Sequence, residues 1–167
     1  MIDRCIELDY LRRNDDISFA GNEAGERVLP GRILGMNSDL IRHGVAAMLG
    51  GGFGSLARFA FGAWMVHHHP DAKMPWATLG VNLAGCLIIG LIYGWVADRW
   101  FMGIHLRYFL VTGFLGGFTT FSAFSIEADL LFRRGESLLA WVYILISVGG
   151  GLVLAWAGER ISVALST

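Results

Sequence analysis

Four long apolar runs separated by short polar stretches dominate the chain from residue 44 onward. The first runs from Gly44 to Val66 with Arg58 as its only charge, and the second, Pro75 to Ala97, has none. The third covers Leu106 to Phe132 and carries Arg107, Glu127 and Asp129, mostly near its ends. The fourth, Leu138 to Ala157, is again uncharged. Each matches the roughly 20 apolar residues an α-helix needs to cross a bilayer. The links are short, His67 to Met74, Asp98 to His105 and Arg133 to Ser137, so successive helices run antiparallel with no extramembrane domain between them. The expected fold is an all-α integral membrane protein with four transmembrane helices per subunit.

Residues 1–35 break this pattern. Arg4, Arg12, Arg13, Arg27 and Arg32 alternate with acids there, and no apolar core of a signal peptide follows. Such a polar segment reads as a disordered N-terminal extension, or as an over-called start, because Met36-Asn37-Ser38-Asp39-Leu40 would open a compact membrane protein naturally. The membrane domain is then 36–167.

Composition agrees. The chain is 54% hydrophobic and only 16% charged, against about a quarter charged in soluble domains. A net charge of −1 leaves no basic footprint for nucleic acid. Cys5 and Cys86 form no plausible disulfide framework. His67-His68-His69 has metal-binding side chains, but with no acid or cysteine cluster nearby it reads as an interfacial loop. Arg42, Arg99, Arg107 and Arg160 fall on one side of the membrane, and Lys73, Arg133 and Arg134 on the other. Four against three gives almost no orientation bias. The chain can then insert both ways and form an antiparallel two-fold dimer, although the leader arginines, if present, would join the first side.

The 23 glycines cluster within the spans, as in Gly50-Gly51-Gly52-Phe53-Gly54, Gly149-Gly150-Gly151, and Gly80, Gly85, Gly90 and Gly94. Small residues at about four-residue spacing let helix backbones approach closely in lipid. The third run differs: Gly116-Gly117-Phe118-Thr119-Thr120 places two glycines and two β-branched residues mid-span, where a helix is easily interrupted. Carbonyls freed there must be buried in protein or line a hydrated cavity, and are natural ligands for a cation such as Na⁺. Phe121, Phe124 and Glu127 follow at spacings of three and share a helix face, as an aromatic packing stripe or as a lining. Asn82 lies within an uncharged span and its amide needs partners. Arg58 can snorkel as an anchor or draw anions to a vestibule. Tyr143 and Ser147 lie four apart and form a hydroxyl-bearing face, with Gly151 one turn beyond.

Together these residues resemble the CrcB/Fluc fluoride channel family. The resemblance rests on Gly116 to Ser125, on Gly50 to Phe59 with its Arg58, on Thr78 to Cys86 around Asn82, and on Tyr143 with Ser147, in order over about residues 40–160. It implies a dual-topology antiparallel homodimer with two fluoride pores. Phe121 and Phe124 would line each pore from a broken third helix, with Asn82 beside it as donor. Thr120, Ser122, Tyr143 and Ser147 would form a polar track, with Glu127 further along the pathway and Arg58 as the family's first-span arginine. The carbonyls of Gly116 and Thr119 would hold a structural Na⁺ at the two-fold axis, with no organic cofactor. Ala123 and Gly151 depart from the pattern by lacking hydroxyls.

The implied function is passive export of fluoride across the plasma (inner) membrane. Fluoride is strongly hydrated, so a pore must replace water with donors that do not trap the ion. Amides, hydroxyls and the positive edges of phenyl rings meet that need. The competing expectation is a small dual-topology, proton-coupled multidrug exporter using Glu127. That mechanism prefers a buried carboxylate early in the chain, which the first run lacks. A membrane enzyme has no nucleophile–base pair to build on, and a pure packing subunit would leave Asn82 unexplained.

Overall fold

The computed structural model describes residues 30–98 and 104–166. The unit Gly35–Thr167 holds four helices long and apolar enough to cross a membrane. The expected extension up to residue 29, and Arg99, lie outside the described residues.

Helix α1 (Pro30–His68) carries the first span, Ser38–His68. Pro75 sits where its missing N–H costs nothing, and α2 (Trp76–Asp98) follows it directly. The third span, Tyr108–Arg133, is composite. A short α3 (Ile104–Arg107) passes into a π-helical stretch, Tyr108–Leu115, then α4 (Gly116–Phe118). The backbone is extended at Thr119 (φ −91°, ψ 160°) and Thr120 (φ −154°, ψ 118°) before α5 (Phe121–Arg133) begins. The fourth span, Ser137–Leu165, joins α6 (Ser137–Leu145), a π-helical stretch Ile146–Gly150 and α7 (Gly151–Ser166). It outruns the expected end at Ala157 because Glu159 and Arg160 end the apolar pattern without interrupting helical hydrogen bonding.

Close packing follows the glycines. A Cβ at Gly50 would strike the Phe109 carbonyl, one at Gly54 the Phe114 carbonyl, and one at Gly117 the Gly51 carbonyl, so α1 meets the third span backbone to backbone. A Cβ at Gly90 would strike the Ala155 carbonyl and one at Gly158 the Leu87 carbonyl, which seats α2 against α7 in the same way. Met74, Leu79, Phe124, Ala128, Leu131, Ala140 and Tyr143 form the buried cluster. Large apolar side chains such as Leu40, Phe53, Leu138, Leu152 and Leu165 face outward. An apolar exterior on this scale suits lipid rather than water, and the chain is a multi-pass membrane protein.

The link between α5 and α6 is a Schellman turn. Gly135 takes φ 78°, its N–H bonds the Phe132 carbonyl at 3.0 Å, and the Glu136 N–H bonds the Leu131 carbonyl at 3.0 Å. A side chain in that left-handed conformation costs roughly 1–2 kcal/mol. Gly135→Ala therefore lowers stability by about 1 kcal/mol in a thermal melt in detergent. Lys73 pairs with Glu136 at 2.5 Å across this link and the one before α2. The pair is exposed, and contributes little.

Candidate functional site

The extended pair Thr119–Thr120 organises the polar interior. A helix continued through it would bond the Thr120 N–H to the Gly116 carbonyl and the Ala123 N–H to that of Thr119. Instead the Thr120 N–H donates to Asn82 Oδ1 at 2.8 Å, and the Ala123 N–H donates to Thr120 Oγ1 at 3.3 Å. The second bond is the N-cap of α5. Both carbonyls are thereby relieved of their ordinary helical partners. Thr119 keeps its own N–H and Oγ1 on the Leu115 carbonyl, at 3.0 and 2.9 Å.

Asn82 closes a two-point clamp on Thr120, because its Nδ2 also donates to the Thr120 carbonyl at 3.0 Å. Its amide carries two N–H groups, and this bond uses one. Ser122 Oγ lies 3.3 Å from Thr120 Oγ1 on the exposed start of α5.

One to two turns further along, Glu127 sits in a hydroxyl cradle. Thr78 Oγ1 donates to its Oε1 at 2.7 Å, and Tyr143 Oη donates to its Oε2 at 2.8 Å. Thr78 and Tyr143 are both buried, and each holds one oxygen of the half-buried carboxyl group. Tyr143→Phe leaves one oxygen without its donor, and the melt should show a loss of about 1–3 kcal/mol.

The aromatics connect these groups. The Phe121 and Phe124 rings lie 5.6 Å apart, tilted by 45°, and Phe124 lies 5.3 Å from Tyr143. Phe124 is 8% exposed and Phe121 is 78% exposed. Ser147, in the π-helical stretch, has a buried hydroxyl with no hydrogen-bond partner among the described residues. Arg58 is half-buried on α1 and appears in no ion pair among the described residues. The structure thus brings Asn82, Thr120 and Ser122 together, and Phe121, Phe124, Tyr143 and Glu127 beside them. It leaves Tyr143 and Ser147 without a mutual hydrogen bond. At the far end of α1, His68 Nδ1 lies 2.8 Å from the Trp64 carbonyl. The described residues contain no group of three or more potential metal-ligating His, Cys, Asp or Glu side chains.

Sequence reasoning passed over Thr78 as a site residue. The available signal was its spacing of four before Asn82, which puts a hydroxyl on the same face of an uncharged helix.

A family described as CrcB-like protein, Camphor Resistance (CrcB), matches residues 45–159, which include all of these polar groups. The chain belongs to the CrcB-like family. Among its CrcB-like relatives, the fluoride-specific ion channel FluC of Rhizobium leguminosarum bv. trifolii is 44% identical over 118 residues, covering 71% of this chain and 94% of that protein. The protein of the same name from Pseudomonas fluorescens is 50% identical over 105 residues, or 63% of this chain and 84% of that protein. That of Azotobacter vinelandii is 46% identical over 114 residues, covering 68% of this chain and 91% of that protein. These relatives are named as ion channels, and this CrcB-like chain is not an enzyme.

Proposed function

We propose that this chain is a fluoride-selective channel that lets fluoride leave the cytoplasm passively across the plasma membrane. Two antiparallel copies would form a homodimer with two pores, the third span broken in mid-membrane at Thr119–Thr120. The observation that carries this reading is the Asn82–Thr120 clamp beside Phe121. It leaves a rigidly held amide with one N–H to spare, in a membrane region free of lysine.

Fluoride gives up its hydration shell on entering such a pathway, so each lost water must be replaced by a donor. Asn82 offers its second N–H, Ser122 its hydroxyl, and Phe121 and Phe124 their positive ring edges. Ser147 has a buried hydroxyl with no partner among the described residues to give up. None of these groups carries a full positive charge, so the ion is coordinated without being trapped. Tyr143 and Thr78 contribute indirectly, by fixing the Glu127 side chain in one position through a hydrogen bond to each of its oxygens. Arg58, half-buried on α1, supplies positive potential at a vestibule.

The carbonyls of Gly116 and Thr119 suit a Na⁺ ion, since each is released from its helical partner and a Cβ at Gly116 would meet none of the described residues within 4 Å. Hard monovalent cations take such oxygen donors. The ion would supply a fixed positive charge that holds two copies together.

Ser147 gives a specific test of the donor track. Removing a buried hydroxyl with no partner is nearly neutral for folding. Ser147→Ala is therefore expected to melt like the parent and to pass fluoride more slowly; unchanged efflux would remove Ser147 from the track. The export function itself is tested in cells lacking their own fluoride exporter. Expression of the chain should restore growth in fluoride medium, and failure to do so with protein present in the membrane would count against export. A proton-coupled exporter using Glu127 receives less support, because both carboxylate oxygens are already engaged by hydroxyls.

A further inference from the structure

We propose that Gly85 is a positioning residue whose missing side chain fixes the direction of the Thr119 carbonyl. Resting on the channel reading above, this assigns α2 two points of control over the extended pair instead of one. Gly85 follows Asn82 by three residues, so both lie on the same face of α2. A Cβ on Gly85 would overlap Thr119 Cγ2, the sole side chain among the described residues that it would meet within 4 Å. Gly85 is buried, so the notch it leaves is filled by that methyl.

The consequence follows from peptide planarity. The N–H of the Thr119–Thr120 peptide points to Asn82 Oδ1 at 2.8 Å. In a trans peptide the carbonyl points opposite to the N–H, which directs the Thr119 oxygen away from α2. The other end of the same peptide is the Thr119 Cα, and its side chain is pinned twice. Oγ1 is bonded to the Leu115 carbonyl at 2.9 Å, and the methyl sits in the Gly85 notch. A β-branched side chain has few χ1 choices. Rotating it away from a new methyl at position 85 would break the bond to Leu115. Keeping that bond would instead shift the backbone and tilt the peptide off Asn82. Either response reorients the Thr119 carbonyl and disturbs the start of α5, where Phe121 and Ser122 stand. Gly85 thus does more than allow close helix packing, the role that its spacing with Gly80, Gly90 and Gly94 assigns it.

The test is a cycle of Gly85→Ala, Thr119→Ser and the double variant, read by fluoride efflux from liposomes and by thermal melting of the purified protein. Serine keeps Oγ1 for Leu115 and removes only the methyl that the new Cβ would strike. Gly85→Ala should slow fluoride efflux by about tenfold or more. The double variant should pass fluoride within about threefold of Thr119→Ser alone, because the second substitution removes the clash created by the first. Parental efflux in Gly85→Ala would overturn the proposal. So would a double variant as slow as Gly85→Ala, since loss of general helix packing is not repaired by deleting one methyl on Thr119. If the parent itself passes no fluoride, the channel reading fails, and the notch is judged by melting alone. Rescue of the melting temperature in the double variant supports it, and absence of rescue overturns it.

Discussion

Asn82→Asp should abolish fluoride efflux while the protein still reaches the membrane. The substitution keeps the shape of the side chain and the acceptor for the Thr120 N–H. It replaces the amide that donates to the Thr120 carbonyl with an oxygen, so one arm of the clamp becomes an oxygen–oxygen contact. It also places a negative charge beside the ion's path. At about 4 Å and an effective dielectric constant near 20, two like charges repel by about 4 kcal/mol, or about a thousandfold in rate. Efflux measured with a fluoride electrode, alongside gel filtration of the same preparation, separates this loss from misfolding. Parental flux in a well-folded Asn82→Asp protein would take Asn82 out of the pathway.

The two phenylalanines should differ from each other in an informative way. Phe121 is 78% exposed on the single chain and Phe124 is 8% exposed, yet their rings touch at 5.6 Å. Replacing either ring with isoleucine keeps an apolar side chain and removes the positive edge. Each edge contact is worth about 0.5–1.5 kcal/mol, so either variant should slow fluoride by up to about tenfold. Phe121→Ile should melt like the parent. Phe124→Ile should lose stability as well, because it gives up its contact with Tyr143 at 5.3 Å inside the buried cluster. Two variants with parental flux would make the aromatic pair a packing stripe. Slow flux with an unchanged melt in Phe121→Ile is the signature of a lining residue.

Much of the architecture was legible because a bilayer imposes length and polarity on every span. The second span, charge-free and preceded by Pro75, starts within a residue of its expected position. The fourth was cut short at Ala157, since hydropathy reports where apolar side chains end and α7 continues through Glu159 and Arg160. Asn82 stood out as an amide in an uncharged run, but its partner did not. That the partner is the backbone of Thr120 depends on which face of α2 meets the third span, which the glycine spacing alone does not fix. Thr78 was passed over for a related reason: a threonine early in a span has an ordinary structural explanation until Glu127 is found 2.7 Å away. Gly85 looked like one of several packing glycines, and only the position of the Thr119 methyl separates it from Gly90, which meets backbone of α7. Residues whose role lies in their own chemistry were visible in the sequence, whereas residues whose role lies in what faces them were not.

The most direct measurement is efflux from liposomes carrying the purified protein, with potassium gradients and valinomycin setting the potential and with fluoride compared to chloride. Rapid fluoride efflux that follows the imposed potential, with no chloride efflux, is the result expected of a passive fluoride-selective channel. Equal passage of both halides, or no fluoride efflux from well-folded protein, would contradict it.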